Sequence, residues 1–325
     1  MSFKQIREFI ADDLAAVEKN LRERTTSEYD FVDGAVRHVV EGGGKRLRPI
    51  LLLLSAKACG YEGEDARTLG TVVEMIHVAS LVHDDVLDEA PVRRGRETLH
   101  SKWGNKVAVL VGDYLHALVL SMLIDRHADD PAMDILSDAT QAMCEGEVVH
   151  AYKTGDFDIS VDDYLKIIDL KTGKLITASC MMGAILGSKD KNIIQALTVY
   201  GQAVGVAFQI IDDLLDFIAD GDKLGKEPFS DLREGKLTFP TIHIREVCTN
   251  EESARLKEAF NSEHENLVSI EWIEALIRRY QIPEFCRTVA QEYANRAKLA
   301  LRILPETSAR RALEQLADYG VSRDW

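Results

Sequence analysis

Two acidic motifs of identical spacing are the part of this sequence best suited to chemistry. They read DDVLD at residues 84–88 and DDLLD at residues 212–216, and each follows an apolar stretch. On a helix that turns about 100° per residue, the first, second and fifth positions fall on one face. Carboxylates crowded in this way repel each other unless a cation binds. Because an oxygen-only ligand set with open positions suits Mg²⁺ that also binds phosphate, the two motifs predict a magnesium-held diphosphate.

Basic residues follow both acidic motifs in the same order along the chain. Arg93 and Arg94 come after the first motif, and Lys226 comes after the second. A diphosphate bridged by Mg²⁺ has further oxygens to neutralise, and arginine binds phosphate through two N–H groups at once. A lone acidic motif is typical of a solvated helix end, so the repeated acid-then-base order is the feature that indicates a site.

A glycine-rich basic segment, GGGKRLRP at residues 42–49, is a third element suited to phosphate. Glycines let the backbone approach a ligand closely. Lys45 and Arg48 lie about one turn apart where a helix is predicted to start, and the dipole at that end favours anions. The spacing of a nucleotide-binding P-loop, GxxxxGK[ST], is absent from the segment. The segment indicates a phosphate site only in combination with the two acidic motifs.

Helical spacing of apolar residues dominates the rest of the chain, so we predict an all-α fold. A hydrophobic content of 46% is enough for a large core. No linker rich in serine and glycine divides the chain, which favours a single domain over residues 1–325. Helices are predicted at residues 3–24, 31–40, 49–59, 64–88, 105–126, 131–153, 160–186, 190–220, 237–247, 251–262, 267–279, 283–303 and 308–321.

Charge and composition argue against several classes of protein. The formal net charge of −15 opposes nonspecific binding to nucleic acid or to anionic membranes. The five cysteines are odd in number and form no CxxC pair, and the first residues lack an apolar signal stretch, so we expect a cytoplasmic protein. Residues 107–124 are apolar, but Gly112, Asp113 and His116 interrupt them. A helix buried inside protein is therefore favoured over a membrane span.

As an ordered set, these motifs resemble those of the trans-isoprenyl diphosphate synthases, or polyprenyl synthetases. The resemblance runs from about residue 42 to the end of the sequence. Besides the motifs above, it includes His77 before DDVLD, the pair Lys171-Thr172 and Gln209 before DDLLD. It implies a helical bundle of the isoprenoid synthase type around a deep central cavity, usually in a homodimer. The implied enzyme is a prenyltransferase that joins isopentenyl diphosphate to an allylic diphosphate such as farnesyl diphosphate.

The resemblance also implies a role for each motif residue. The allylic diphosphate ionises to an allylic cation, the double bond of isopentenyl diphosphate attacks it, and a proton is lost. Three Mg²⁺ ions would draw charge onto the leaving diphosphate. The expected metal ligands are Asp84, Asp88 and Asp212, with support from Asp85, Asp213 and Asp216. The expected ligands of the allylic diphosphate are Arg93, Lys171 and Lys226. Those of isopentenyl diphosphate are Lys45, Arg48, His77 and Arg94. The residues expected to face the cation are Thr172 and Gln209.

Small residues one turn before the first acidic motif bear on product length. Ala79 and Ser80 stand where short-chain members of the family generally carry an aromatic residue, so they predict an open tunnel. One helical turn of about 5.4 Å leaves room for about one isoprene unit. Leu123 and Ile135 are candidates for the tunnel floor, with ordinary core packing as the alternative. The C-terminal run also resembles the octaprenyl, heptaprenyl and solanesyl group, and we predict an octaprenyl-type product for a quinone side chain.

Other functions stay open from the sequence. A farnesyl or geranylgeranyl synthase would share every motif and differ in tunnel length. A class I terpene cyclase normally mixes Asn, Ser and Glu in its second metal site, and a noncatalytic subunit of a heteromeric synthase typically lacks an acidic motif. A helical cation buffer would not need the basic segment. Because a long polyprenyl chain leaves poorly into water, a transient membrane contact during product release is a further hypothesis.

Overall fold

The computed structural model describes residues 1–127, 131–218, 229–261 and 270–323 of the chain. Nearly all regular structure in these ranges is helical, which confirms the predicted all-α class. One predicted site residue, Lys226, lies outside the described residues.

The helices agree with the predicted ranges to within a few residues along most of the described chain. In chain order they are α1 Phe3–Phe9, α2 Ala11–Arg24, α3 Asp30–Val40, α4 Leu47–Ala58, α5 Glu64–Leu87, α6 Leu99–Trp103, α7 Asn105–His127, α8 Pro131–Lys153, α9 Val161–Ile168, α10 Lys174–Gly187, α11 Lys191–Ile218, α12 Ser230–Arg233, α13 Phe239–Val247, α14 Asn250–Asn261, α15 Ile270–Arg279, α16 Ile282–Ala300 and α17 Ser308–Ser322. A π-helical segment, Asp169–Gly173, joins α9 to α10, and a 3-10 turn, Leu301–Ile303, follows α16.

Several local features differ from the sequence prediction, among them the short helices α6 and α12, where no helix was predicted. The opening helix is broken at Ile10, where φ is −118° and ψ is 26°, so α1 and α2 are separate. A small hairpin of β1 Val92–Arg93 and β2 Arg96–Glu97 follows the first acidic motif, where no element was predicted. Its two loop residues, Arg94 and Gly95, have φ values of 53° and 72°. Two positive φ values are the signature of the tight hairpin turn whose twist matches the strands.

The chain forms two compact units, each assembled from three segments. The first comprises Met1–Thr140, Leu175–Gly201 and Ala300–Leu316. Its central helix is α5, which packs against α2, α4 and α7. Because α5 has helices on several sides and is apolar around much of its circumference, 14 of its 24 residues are buried. A Cβ at Gly112 would lie 2.1 Å from His83 Nε2, so the glycine leaves room for the His83 side chain of α5 against α7. This packing fixes the helix that carries the first acidic motif.

The second unit comprises Gln141–Lys174, Gln202–Leu299 and Ala317–Trp325. Aromatic rings form part of its core: Phe239 stacks against Tyr164 and against Phe285, with centroids 5.7 Å apart in both pairs. A Cβ at Gly205 would lie 3.0 Å from the Cα of Gly173, so the π-helical segment and α11 meet through two glycines. This contact fixes the backbone that carries Lys171 relative to the second acidic motif.

Two helices of the described chain are long and apolar enough to cross a membrane by length and composition. They are Asn105–Asp125 and Lys191–Ile218. Such helices also form the cores of large helical proteins, and half of the most apolar stretch of the second helix is buried here. The predicted burial of residues 107–124 inside the protein is incomplete, since Leu110, Leu120 and Ile124 are more than half exposed.

Candidate active site

The first acidic motif lies at the end of α5. Asp84 and Asp88 are half-buried, and Asp85 is buried. Helix α5 ends at Leu87, with Asp88 as its C-cap. Because a helix C-terminus carries partial negative charge, carboxylates there are unfavourable unless a cation is close. Arg93 from β1 supplies one for the middle residue, with its Nε 2.5 Å from Asp85 Oδ1. Burial nevertheless raises the pKa of Asp85, although Arg93 opposes the shift.

The second acidic motif, on α11, repeats this pattern of burial. Asp212 and Asp216 are half-buried, whereas Asp213 is buried. The Tyr164 hydroxyl donates to Asp213 Oδ2 over 2.5 Å, and Gln209 Nε2 donates to Oδ1 over 2.8 Å. Burial raises the pKa of Asp213 to about 6 in spite of these two donors. In both motifs the middle aspartate is bound by protein donors, and the outer two are the more accessible.

The π-helical segment displays Lys171 and Thr172 in the second unit. Single π turns inside helices occur often at functional sites, because the wider turn re-aims the side chains that it carries. Lys171 Nζ lies 2.7 Å from Glu147 Oε2 and 3.1 Å from His150 Nδ1, both on α8. Burial alone would raise the pKa of Glu147, but its contacts with His150 and Lys171 lower it to about 2. Lys171 is therefore held by a fully ionised partner.

Thr172 and Gln209 form one hydrogen-bonded chain with the second acidic motif. The Thr172 hydroxyl donates to Gln209 Oε1 over 2.9 Å, and the Gln209 amide donates in turn to Asp213. The orientation of the Gln209 side chain is fixed at both ends. Oxygen atoms of a hydroxyl and an amide present their negative ends to a positive charge without a strong nucleophile, which is the property the predicted role requires.

The basic segment before α4 meets the hairpin in the first unit. The Arg94 guanidinium donates to the Gly43 carbonyl. The φ of Gly44 is 138°, so the backbone favours glycine, and the missing Cβ leaves room for the Arg94 guanidinium. His77 on α5 is half-buried. Burial, and then the charges of Arg48 and Arg94, lower the pKa of His77 well below its usual value, so the imidazole is neutral.

Comparison with known proteins identifies the family. Residues 30–277 match the polyprenyl synthetase family over more than half of the chain. The chain belongs to the polyprenyl synthetase family. It is 36% identical to the octaprenyl diphosphate synthase of Escherichia coli (strain K12) over 324 residues, which cover 100% of both chains.

Solved polyprenyl synthetases share its fold. A decaprenyl diphosphate synthase from Rhodobacter capsulatus has a TM-score of 0.92 and 37% identity over 99% of each chain. A polyprenyl synthase from Caulobacter crescentus CB15, complexed with calcium and isoprenyl diphosphate, has a TM-score of 0.93 and 33% identity, covering 100% of this chain and 98% of that one. These relatives confirm the predicted prenyltransferase and its class, a long-chain trans-prenyl diphosphate synthase.

The donor set of this polyprenyl synthetase fits a metal ion that binds together with its substrate. Among the described residues, no group of three His, Cys, Asp or Glu side chains is assembled as a metal cage. Each acidic motif instead offers two half-buried carboxylates about one helical turn apart. Mg²⁺ is usually held by one or two carboxylates together with waters and substrate phosphates, so this arrangement fits it.

Several residues that contact the predicted polyprenyl synthetase site were not predicted from the sequence. They include Glu147, His150, Tyr164, Ser230 and Arg323. The first two stand one turn apart on α8, within the segment EGEVVH. An acid and a histidine at that spacing lie on the same face of a helix, so the pair could have been predicted from the sequence. The contact of Tyr164 could not, because its partner Asp213 lies on another helix.

The predicted chain-length residues lie in the first unit. Ala79 is fully buried on α5, and half-buried Ser80 donates to the His77 carbonyl over 2.9 Å. Leu123 is buried on α7, which packs against α5, while Ile135 on α8 is half-buried. These positions are compatible with core packing and with a tunnel wall, so the assignment of all four to product length stays a prediction.

Proposed function

We propose that this protein is a Mg²⁺-dependent polyprenyl diphosphate synthase that makes an octaprenyl-type chain. The observation that carries the proposal is the shared burial pattern of the two acidic motifs. Each presents its outer aspartates and ties its middle aspartate to protein donors. Two separate helices with the same arrangement are what a diphosphate held by several divalent cations requires.

Asp84 and Asp88 of the first acidic motif and Asp212 of the second are the proposed metal ligands. When bound, three Mg²⁺ ions would neutralise the diphosphate and make it a better leaving group. Asp84, Asp88 and Asp212 would hold the ions through carboxylate oxygens, and Asp216 would orient bound water. Asp216 itself is held by Ser230, whose hydroxyl donates to Oδ1 over 2.6 Å. Asp85 and Asp213 act by holding Arg93, Gln209 and the backbone in place.

Cations of the chain complete the binding of two different diphosphates. Arg93, Lys171 and Lys226 are proposed for the allylic substrate, whose C–O bond breaks. Arginine and lysine next to that bond stabilise the charge that develops on the leaving oxygen. Lys45, Arg48, His77 and Arg94 are proposed for isopentenyl diphosphate, which needs no metal to bind. The neutral imidazole of His77 can donate one N–H to this group.

The hydrogen-bonded chain through Gln209 is proposed to face the allylic cation. Its amide oxygen accepts from Thr172, and its nitrogen donates to Asp213, so the dipole cannot rotate freely. A fixed dipole stabilises a developing charge without reorganisation during the reaction. The electron pair of the isopentenyl double bond then forms the new C–C bond, and the released diphosphate takes up the proton whose loss restores a neutral hydrocarbon chain.

The proposed long product depends on the small residues before the first acidic motif. Ala79 and Ser80 leave the passage along α5 free of an aromatic ring. Octaprenyl and all-trans-nonaprenyl are the products named for two full-length relatives at 36% and 38% identity. A short-chain synthase of 36% identity covers 89% of this chain, so identity alone does not decide the length.

One incubation tests this proposal. Purified protein is mixed with farnesyl diphosphate, labelled isopentenyl diphosphate and Mg²⁺, and the dephosphorylated products are sized by chromatography. A ladder that ends at eight isoprene units is expected. A ladder that ends at three or four units would refute the long-chain product. No incorporation by a folded protein would refute the synthase itself and favour a noncatalytic subunit.

We also propose a homodimer that works in the cytoplasm. On α7, the exposed residues Leu110, Leu120 and Ile124 are 56%, 55% and 58% accessible and fall within an arc of about 80°. An apolar face of this kind marks a contact surface. Leu110→Glu is expected to shift the sedimentation coefficient to that of a monomer, while Leu299→Glu, at an exposed leucine of α16, leaves it unchanged. The five free cysteines agree with a reducing compartment.

Release of the product is proposed to need an apolar surface. A polyprenyl chain gains about 0.8 kcal/mol for each CH₂ group that leaves water, so it leaves the protein slowly into buffer. We expect a nonionic detergent to raise steady-state turnover without changing the rate of a single condensation. An equal turnover with and without detergent at saturating substrate would contradict a release step of this kind.

A further inference from the structure

Arg46 is the one basic residue of the segment at 42–49 that has no role in the proposed function. Its side chain is only 3% exposed. Nε and Nη2 donate to the two oxygens of Glu18 over 2.7 and 3.2 Å, and Nη1 donates to Glu74 Oε1 over 2.9 Å. Nη2 also donates to the Val40 carbonyl over 2.9 Å. The guanidinium thus joins α2, the end of α3 and α5 at one point.

The backbone of Arg46 is itself unusual. Its φ of 52° and ψ of 40° are in the left-handed region, which residues other than glycine rarely adopt. Arg46 precedes α4 directly, so this conformation sets how Lys45 and Arg48 stand on either side of it. A strained conformation persists only where the surroundings hold it. Here the conformation is held by the buried fork, that is, the hydrogen bonds of the planar guanidinium to the carboxylates of Glu18 and Glu74.

The proposed ligands of isopentenyl diphosphate lie close to this network along the chain, with Lys45 and Arg48 on either side of Arg46. Arg7 donates to the Lys45 carbonyl over 3.1 Å, and Arg94 donates to the Gly43 carbonyl. Glu74, the anchor of Arg46, stands one turn before His77 on α5. Lysine could not replace the arginine, because one ammonium group cannot bridge two carboxylates and a carbonyl in the geometry of a planar fork.

We infer that Arg46 is a positioning residue, which fixes Lys45 and Arg48 for the diphosphate of isopentenyl diphosphate without touching it. The inference rests on the proposed function and adds a residue to that site. Glu18 and Glu74 are its anchors. Loss of the Arg46 contacts loosens the segment at 42–49 and so weakens the binding of isopentenyl diphosphate. The allylic substrate is bound by other cations, so its binding is unaffected.

The test compares Arg46→Lys with a matched control, Arg67→Lys. Arg67, on α5, also contacts two carboxylates and links α5 to α2. Its Nε lies 2.8 Å from Asp13 Oδ1, and its Nη1 lies 2.5 Å from Glu64 Oε1. Both substitutions keep the charge and lose the fork. We expect Arg46→Lys to raise the KM for isopentenyl diphosphate about tenfold, the equivalent of one charge-assisted hydrogen bond. kcat and the KM for farnesyl diphosphate should stay within about twofold, and Arg67→Lys should change none of the three constants.

Binding without turnover provides a second readout. Isopentenyl diphosphate is titrated calorimetrically into the protein with no divalent cation and no allylic substrate. Arg46→Lys should weaken this binding about tenfold, and Glu18→Gln, which keeps the shape of the anchor, should weaken it less. If Arg46→Lys does not fold, the binding of isopentenyl diphosphate by Glu18→Gln decides the test.

Three results would overturn the inference. They are wild-type binding of isopentenyl diphosphate by Arg46→Lys, an equal loss in Arg67→Lys, or a parallel change in the KM of both substrates. Failure of the proposed function looks different, because the wild-type protein would then neither bind isopentenyl diphosphate nor extend farnesyl diphosphate.

Discussion

The guanidinium of Arg323 lies 2.6 Å from Asp212 Oδ1, so a residue directly after α17 is the counter-ion of a proposed metal ligand. Its side chain is 4% exposed. Nη2 donates to the Phe208 carbonyl over 2.6 Å, and the guanidinium stacks on the Phe208 ring at 3.6 Å. These contacts keep a positive charge beside Asp212. A divalent cation that binds this carboxylate alone therefore meets repulsion, and an anionic substrate relieves it.

Arg323→Gln should tighten the binding of a divalent cation in the absence of diphosphate. Removal of one charge beside a carboxylate that is 43% exposed is expected to change the affinity for Mn²⁺ about tenfold. The measurement is Mn²⁺ binding by electron paramagnetic resonance, without substrate. Arg311→Gln removes an equal charge from an exposed position of α17 and should have no effect. Weaker Mn²⁺ binding in Arg323→Gln would show that the arginine orients Asp212 and does not oppose the cation.

Substitutions in the first acidic motif should separate catalysis from stability. Asp84→Asn removes a half-buried proposed metal ligand, so kcat should fall about 10²–10³-fold, with a change of at most about 0.5 kcal/mol in the free energy of unfolding. Asp85→Asn leaves the Arg93 guanidinium without its buried anion, so the free energy of unfolding should fall by about 1–3 kcal/mol. Steady-state kinetics and urea denaturation measure the two effects. Equal losses of stability in both variants would contradict the difference in burial between them.

The sequence predicted the fold and the motifs far better than the contacts between them. Helical periodicity and the repeated acidic spacing were enough for the all-α class, because both depend on local residue order. The inward turn of Asp85 and Asp213 could not be read from DDxxD, since it depends on Arg93 in a hairpin and on Tyr164 on a separate helix. The buried fork of Arg46 was hidden in the same way, because its partners Glu18 and Glu74 lie 28 residues away on either side.

Glu147→Gln should lower stability at neutral pH and less so in acid. The contacts with His150 and Lys171 hold the pKa of Glu147 at about 2, below its ordinary 4.5. A carboxyl group whose pKa is lower in the folded state contributes stability that is present above pH 4.5 and lost as the pH falls towards 2. With a side chain 27% exposed, the contribution is about 2 kcal/mol.

Urea denaturation of Glu147→Gln at pH 7 and at successive pH values below 4.5 measures this contribution. The difference from the wild-type protein should be about 2 kcal/mol at pH 7 and narrow steadily in acid. Glu145→Gln, at an exposed glutamate of the same helix, should match the wild-type protein throughout. A difference for Glu147→Gln that does not depend on pH would mean that its charge does not stabilise the folded state.

Ala79→Tyr should shorten the product to about farnesyl length. Ala79 stands one turn before the first acidic motif, so an aromatic ring there would block a passage that gains about one isoprene unit per helical turn. The alanine is fully buried, and overpacking is expected to cost about 1–3 kcal/mol of stability. The length of the dephosphorylated products, with geranyl diphosphate as the primer, measures the block directly.

Two further variants separate a blocked tunnel from a damaged fold. Ala66→Tyr introduces the same ring at another buried alanine of α5, so it should cost similar stability and leave product length unchanged. Ser80→Phe places the ring at a half-buried neighbour and should shorten the product with less loss of stability. Full-length product from both Ala79→Tyr and Ser80→Phe would mean that these residues are core packing and that the length is set elsewhere along the chain. Shortening by Ala66→Tyr as well would mean that product length follows stability and not the position of the ring.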